Sequence, residues 1–269
     1  MRPVGDAALN ADGGLRVEQD DAVLTITLAT PDRRNAQLPA TWRALAALAT
    51  DISPDVRVVV LAADGPSFSA GLDRRMFTGG VPGETSILEL AAGTDHQFDT
   101  AIKEFQQGFT RWRELDAIVV SAVQGHAVGA GFQLALAADF MLVADDVSLS
   151  MKETQLGLVP DLGGTEPLVE AVGYSRALEI CATGRRVGAH EAVASGIAVA
   201  QVPAATLPEA TAAKVAELLS APGGALIETK RLLRGASKRS ALDQFAFERA
   251  MQRIRAQELA EMFSNAESD

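Results

Sequence analysis

The groups with the most chemical promise in this chain are backbone amides. Gly125, Gly129 and Gly131 fall in "GHAVGAGFQLALAAD" at spacing G-x-x-x-G-x-G, and a second glycine turn, "SFSAGLD", covers 67–73. Glycine lets backbone approach its neighbours closely, so two such turns can aim two N–H groups at one point. A preorganised pair of donors is what a thioester carbonyl needs as charge builds on its oxygen, and losing one costs about 3 kcal/mol in the transition state. Two other readings stand beside this one. The first is tight packing of a turn on a strand, with no ligand. The second is a dinucleotide-binding helix of the short-chain dehydrogenase kind, which needs Tyr with Lys four residues on. The one tyrosine, Tyr174, has Leu178 at that place, and a glycine pattern without its context is a weak signal. The chain has neither a G-x-x-x-x-G-K-[ST] phosphate loop nor a G-x-S-x-G nucleophile elbow.

Side chains able to move protons lie downstream: Glu153 in "KETQLG" and Asp161 in "LVPDLGG". Half-buried carboxylates near an apolar acyl chain have raised pKa values, which suits a proton shuttle. The plain alternatives are an ion pair of Glu153 with Lys152 or Arg74, and a turn made by Asp161 after Pro160. His96, His126 and His190 do not cluster with acids or with Cys181, so no metal site is expected. Cys181 is the one cysteine and cannot form an intrachain disulfide. With 24 basic against 35 acidic residues the net charge is −11, which repels nucleic acid and anionic membranes. No signal pattern opens at Met1, and no apolar run reaches membrane-spanning length. A cytoplasmic protein is expected, binding neither nucleic acid nor membrane.

The elements that must hold these groups alternate. Residues 22–29 ("AVLTITLA") read as a half-buried strand, "ATWRALAALATDI" as a helix, and 56–63 ("VRVVVLAA") as a buried strand. Segment 76–99, rich in Gly, Pro, Ser and Thr, reads as a mobile flap beside a site. A helix through "FDTAIKEFQQGFTRWREL", the strand "AIVVSAVQ", the glycines, a helix through "FQLALAA", the strand "FMLVA" and the extended "VSLSM" follow. This cycle argues an α/β class. Beyond Pro160 the pattern is helical, ending in a long amphipathic helix with Leu242, Phe245, Ile254 and Leu259.

Together "FSAGLD", "GHAVGAGFQLALAAD", "KETQLGLVPDLGGT" and "TGRRVGAHEAVASGIAVAQV" resemble, in order and spacing, the signature segments of the crotonase superfamily, the enoyl-CoA hydratase/isomerase fold. The resemblance covers roughly 15–235. It implies a spiral core of ββα units over 1–200 that binds acyl-CoA. It implies a helical region over 201–269 used to assemble a homotrimer or a dimer of trimers. It implies an acyl-CoA ligand, with no cofactor beyond the coenzyme A moiety of the substrate. Carried over by position, it places the two oxyanion-hole amides at Leu72 and Ala130, and substrate contacts at Ala70, Gly71, Asp73 and Gly129. Arg33, Arg34 and Lys230 fall where relatives meet the coenzyme A phosphates, and arginine's fork geometry suits that contact.

In the hydratases of this superfamily two glutamates hold one water. The first falls here on Gln133, an amide that cannot act as a general base. The second falls on Glu153, and Asp161 stands where some isomerases carry a proton-shuttling carboxylate. The resemblance therefore implies an enoyl-CoA hydratase/isomerase, with isomerase-type shuttling by Glu153 or Asp161 favoured and Gln133 in a positioning role. Water addition, thioester hydrolysis and acyl-CoA binding without turnover are the alternatives.

Overall fold

Short β-branched runs closed by polar or glycine-rich corners build the centre of the molecule. The computed structural model describes residues 13–266, so the expectation of a leader-free start at Met1 lies outside them. The strands are β1 (Leu15–Asp20), β2 (Val23–Leu28), β3 (Val58–Ala63), β4 (Ile118–Val123), β5 (His126–Val128), β6 (Phe140–Ala144), β7 (Ser148–Ser150), β8 (Val187–Gly188) and β9 (Ala200–Val202). Six form one sheet in the order β1-β2-β3-β4-β6-β9, parallel except for β1 against β2, and β5-β7-β8 form a second, smaller sheet. The helices are α1 (Pro39–Thr50), α2 (Ile87–Ala92), α3 (Asp95–Glu114), α4 (Ala130–Ala135), α5 (Thr165–Val172), α6 (Tyr174–Thr183), α7 (Ala189–Ser195), α8 (Leu207–Ser220), α9 (Gly223–Leu233) and α10 (Ala241–Ala266).

The expected ββα spiral is visible in how successive turns stack. Each turn takes one strand from the large sheet, then a short extended segment from the second layer, then a helical piece. β4, β5 and α4 make one turn. β6, β7 and a 3-10 turn over Glu153–Leu156 make the next. β3 starts the turn before them: Ser69 bridges Ala127 of β5 in parallel, and a 3-10 turn over Arg74–Phe77 follows.

Both faces of the large sheet are covered, as parallel strands require, and every residue of β4 is buried. On one face Trp42 of α1 meets Phe105 and Phe109 of α3 edge-on, at ring-centroid distances of 5.1 and 5.8 Å. On the other, Leu207 and Val215 of α8 pack over Val58, Val60, Ile118, Val120 and Leu142. The 200/201 division read from the sequence falls inside β9, and α8 packs on the sheet.

Two elements differ from the sequence reading. Segment 76–99, read as a flap, holds α2 and the first turn of α3, two helical pieces that the sequence reading did not assign. A capping box starts α2: Ser86 N–H donates to Glu89 Oε2 at 2.7 Å and Glu89 N–H to Ser86 Oγ at 3.2 Å, a local signal that outweighs weak periodicity. β1 was not expected. It is an edge strand with only Leu15 fully buried, and its Arg and acidic residues mask the alternation. The long terminal helix is present as α10, and it leaves Leu242, Phe245, Leu259, Met262 and Phe263 more than half exposed. Among the described residues no helix is long and apolar enough to cross a membrane.

Candidate active site

β3 and β4 are parallel and end at the same sheet edge, and the segments that follow them run side by side. Ser69 N–H donates to His126 O at 2.9 Å, and Val128 N–H returns to Ser69 O at 3.0 Å. Gly71, at φ +83°, brings the two turns into contact, since a Cβ there would lie 2.4 Å from Val128 O and 3.6 Å from Ala130 N. Gly131 is pressed against Ser69 in the same way. Part of the glycine pattern is therefore turn-on-turn packing, which needs no ligand, and that packing is what brings the donors together.

The alternation of the extended backbone then decides where the amides face. Ser69 faces β5, whereas Ala70 N–H points the other way, to Arg34 O at 2.9 Å. Gly71 O accepts Gln37 N–H at 2.8 Å and Asp73 N–H donates to Gln37 O at 2.9 Å, so both face Gln37. Leu72 N–H lies between them and turns back toward the β5 side. Ala130 is the first residue of α4, where helix geometry supplies no acceptor for its N–H. Neither amide donates to an acceptor among the described residues.

Glu153 stands against the same turn. Gly129, at φ +52° and ψ −119°, takes a backbone shape that only glycine adopts readily, and a Cβ there would lie 3.3 Å from Glu153 Oε1. Gln133 of α4, fully buried, donates from Nε2 to Glu153 Oε1 at 2.8 Å. Its Oε1 accepts Leu162 N–H at 3.0 Å and Gly164 N–H at 3.2 Å. One amide thus ties the Glu153 segment to the loop carrying Asp161, and its hydrogen bonds go to protein groups. Gln106 of α3 fixes that loop from the other side, donating to Asp161 O at 2.7 Å.

Glu153 Oε2 is buried and has no hydrogen-bond partner among the described residues, and neither Lys152 nor Arg74 pairs with it there. Burial pushes the Glu153 carboxyl above the ordinary glutamate range, the nearby backbone amides of 152–153 and the Gln133 bond oppose this, and the Asp161 charge adds to it. Burial raises Asp161 as well. A carboxyl that resists ionisation beside the Gly129–Ala130 turn, with a second one felt by it, can take a proton from a carbon acid and give it back while charge collects on an oxygen.

The remaining expected contacts divide. Arg33 and Arg34 are exposed on the loop that borders Ala70, with Arg33 Nη1 3.7 Å from Asp73 Oδ2. Asp73 caps the following 3-10 turn, accepting from Arg75 N, Nε and Nη2, and Arg75 holds its carboxyl below the ordinary range. Lys230 does not fit the phosphate role. Its ammonium is buried, donating to Ala117 O at 2.8 Å and Asp139 Oδ2 at 2.7 Å at the start of β4, about 17 Å of strand away from the glycine turns. Burial also pulls its pKa below the ordinary lysine value, with Asp139 opposing. Sequence reading missed Asn35, Gln37, Ser69 and Gln106, which stand in mixed or polar stretches where nothing marks them off from surface residues.

Comparison with known proteins bears on the family and the fold. The family model described as enoyl-CoA hydratase/isomerase matches residues 18–263. A probable enoyl-CoA hydratase of Mycobacterium tuberculosis is 31% identical, over 75% of this chain and 75% of that protein. The carnitinyl-CoA dehydratase of Salmonella typhi is 32% identical over 83% and 81%. Among solved structures, a putative enoyl-CoA hydratase from Thermobifida fusca YX in complex with CoA superposes at a TM-score of 0.90, with 42% identity over 96% of this chain and 98% of that one. The same protein in complex with acetoacetyl-CoA gives 0.89 and 42%, over 95% and 99%. On motif order, stacked ββα turns and this match across almost the whole length, the chain belongs to the enoyl-CoA hydratase/isomerase family of the crotonase superfamily.

Proposed function

We propose that the protein binds an acyl-CoA thioester, stabilises its enolate and moves a double bond by isomerase-type proton shuttling. The observation that carries this reading is the bare, buried Oε2 of Glu153, held beside the Gly129–Ala130 turn by an amide that cannot itself ionise. In the step, a carboxylate takes a proton from a carbon next to the double bond, and the electron pair of that C–H bond flows to the thioester oxygen. Leu72 N–H and Ala130 N–H receive the oxygen. The carboxylic acid so formed returns the proton to another carbon, and nothing is gained or lost overall. Ala70, Gly71, Asp73 and Gly129 shape the turns around the thioester, and Arg33 and Arg34 meet the coenzyme A phosphates. The complexes of the Thermobifida relative with CoA and acetoacetyl-CoA support this ligand class. No cofactor beyond the coenzyme A moiety is invoked.

Water addition to a 2-enoyl thioester is the second reading. It is favoured by relatives described as hydratase and dehydratase, and by the presence of two ionisable carboxyls, Glu153 and Asp161. The exposed apolar side chains of α10 fit assembly as a homotrimer or a dimer of trimers, which native mass spectrometry tests. For the chemistry, a panel of 2-enoyl- and 3-enoyl-CoA thioesters is incubated in heavy water and followed by chromatography and mass spectrometry. Double-bond movement or carbon-bound deuterium without water addition is expected. Rapid hydration overturns the isomerase preference, free thiol release points to a thioester hydrolase, and binding without turnover to a non-catalytic acyl-CoA binder.

A further inference from the structure

Under the Leu72 amide lies a buried chain of side-chain hydrogen bonds that the chemistry above does not use. The Trp42 indole N–H donates to Gln37 Oε1 at 2.8 Å, and Gln37 Nε2 donates to Ser69 Oγ at 3.1 Å. Ser69 Oγ donates in turn to Asn35 O at 2.7 Å and accepts Gly71 N–H at 3.1 Å. Gln37 and Ser69 are 0% exposed, deep among apolar neighbours where unpaired polar atoms are costly. The chain ends on the Gly71 amide, at the start of a short stretch of backbone, 71–73, which the backbone of Gln37 also grips at Gly71 O and Asp73 N.

The planarity of the peptide bond gives this convergence a consequence. Gly71 C=O and Leu72 N–H belong to the same peptide plane and point in opposite directions. A carbonyl held on one side therefore aims the amide on the other. Gln37 N–H holds the Gly71 carbonyl, the Gln37 side chain holds Ser69, and Ser69 holds the Gly71 amide, so both peptide planes flanking Gly71 are fixed. A satisfied polar network of this kind rigidifies its surroundings more than apolar packing does, and Gly71, at φ +83°, is the residue that most needs restraint.

We propose that Gln37 and Ser69, anchored by Trp42, are positioning residues that aim the Leu72 amide at the thioester oxygen. The inference rests on the reading that Leu72 N–H and Ala130 N–H receive that oxygen.

The test uses butyryl-CoA labelled with carbon-13 at the thioester carbonyl, whose infrared stretch is recorded free and bound. The wild-type protein is expected to shift the stretch to lower frequency, because two N–H donors polarise the bond. Ser69→Ala and Gln37→Met are expected to shrink that shift and to lower kcat about 10-fold with KM nearly unchanged, a smaller loss than outright removal of a donor. Folding is checked by circular dichroism, and Ser69→Cys, which keeps the shape with a weaker donor and acceptor, replaces Ser69→Ala if that variant does not fold. A full carbonyl shift in folded variants overturns the positioning role while leaving the oxyanion hole intact. No binding or no shift with the wild-type protein overturns the oxyanion-hole reading itself, and the inference with it.

Discussion

Two buried charges mark the two ends of β4, and they are treated in opposite ways. At the start of the strand the Lys230 ammonium meets Asp139 and the Ala117 carbonyl, and Asp139 Oδ2 also accepts Val119 N–H at 2.8 Å. Past its far end, Glu153 keeps one oxygen on Gln133, and its other oxygen meets no donor among the described residues. A buried charge left unpaired is expensive unless it neutralises, so the first arrangement reads as structure and the second as a site awaiting a ligand. Both residues occupy positions that the family resemblance would assign to substrate. Only the local bonding separates them.

The comparison breaks most easily at the unpaired end. Glu153→Gln and Asp161→Asn are each expected to slow proton exchange into an enoyl-CoA substrate, the true base by about 1000-fold, within the range of a placed general acid–base. Deuterium incorporation followed by mass spectrometry ranks the two, and whichever variant loses more carried the proton. Equal and small losses would leave both carboxyls as structural. At the paired end the expected change is in stability instead. Lys230→Met takes the buried ammonium away from the Ala117 carbonyl and from Asp139, whose own side chain is only partly covered, and should cost about 2 kcal/mol in chemical denaturation, with KM for the thioester unchanged. A raised KM would restore Lys230 to the phosphate site.

That contrast also shows what the sequence could and could not convey. Motif order placed Leu72, Ala130, Gln133, Glu153 and Asp161 near one another, because family spacing encodes which strand ends feed which turns. It could not tell a cation aimed at solvent from one swallowed by the fold, since "IETKRLL" places Lys230 on a helix without saying which face meets β4. The strands β2, β3, β4 and β6 were legible through β-branched runs. β1 was hidden by edge charges, and α2 by the glycine-rich stretch around its capping box. The Trp42–Gln37–Ser69 chain was invisible, because its members come from separate segments that meet only in the folded chain.

Gln133 sharpens the comparison, since it stands where the hydratases of the superfamily carry a glutamate and here holds the Glu153 and Asp161 segments without adding a third carboxyl. Gln133→Glu keeps an acceptor for Leu162 N–H and Gly164 N–H but removes the donor to Glu153. It adds an ionisable group directly opposite Glu153, the pairing that water addition uses in the hydratases. The ratio of hydration to double-bond movement is expected to rise about 100-fold, the lower end of what a placed general base contributes. An unchanged ratio, read by chromatography of the products, would mean that Gln133 does not set the choice of reaction.

The smallest expected effect is on pH dependence, and its sign follows from burial. Glu153 and Asp161 have folded-state pKa values raised above their ordinary 4.5 and 3.8. Between those ordinary values and the raised ones the folded chain binds more protons than the unfolded chain, so stability falls as pH rises through that window. Above it the cost is constant. Asp73 works the other way: Arg75 holds its pKa down, so its contribution is present above 3.8 and lost as pH falls through the lowered folded value. Glu153→Gln should therefore flatten part of the loss above pH 4.5 and leave the protein slightly more stable at neutral pH, even as it removes activity. Denaturation midpoints measured from pH 4 to pH 8 test this. A variant less stable than wild type at neutral pH would mean that the bare carboxylate is held by something other than the fold's tolerance for a functional strain, and the division between the two ends of β4 would have to be redrawn.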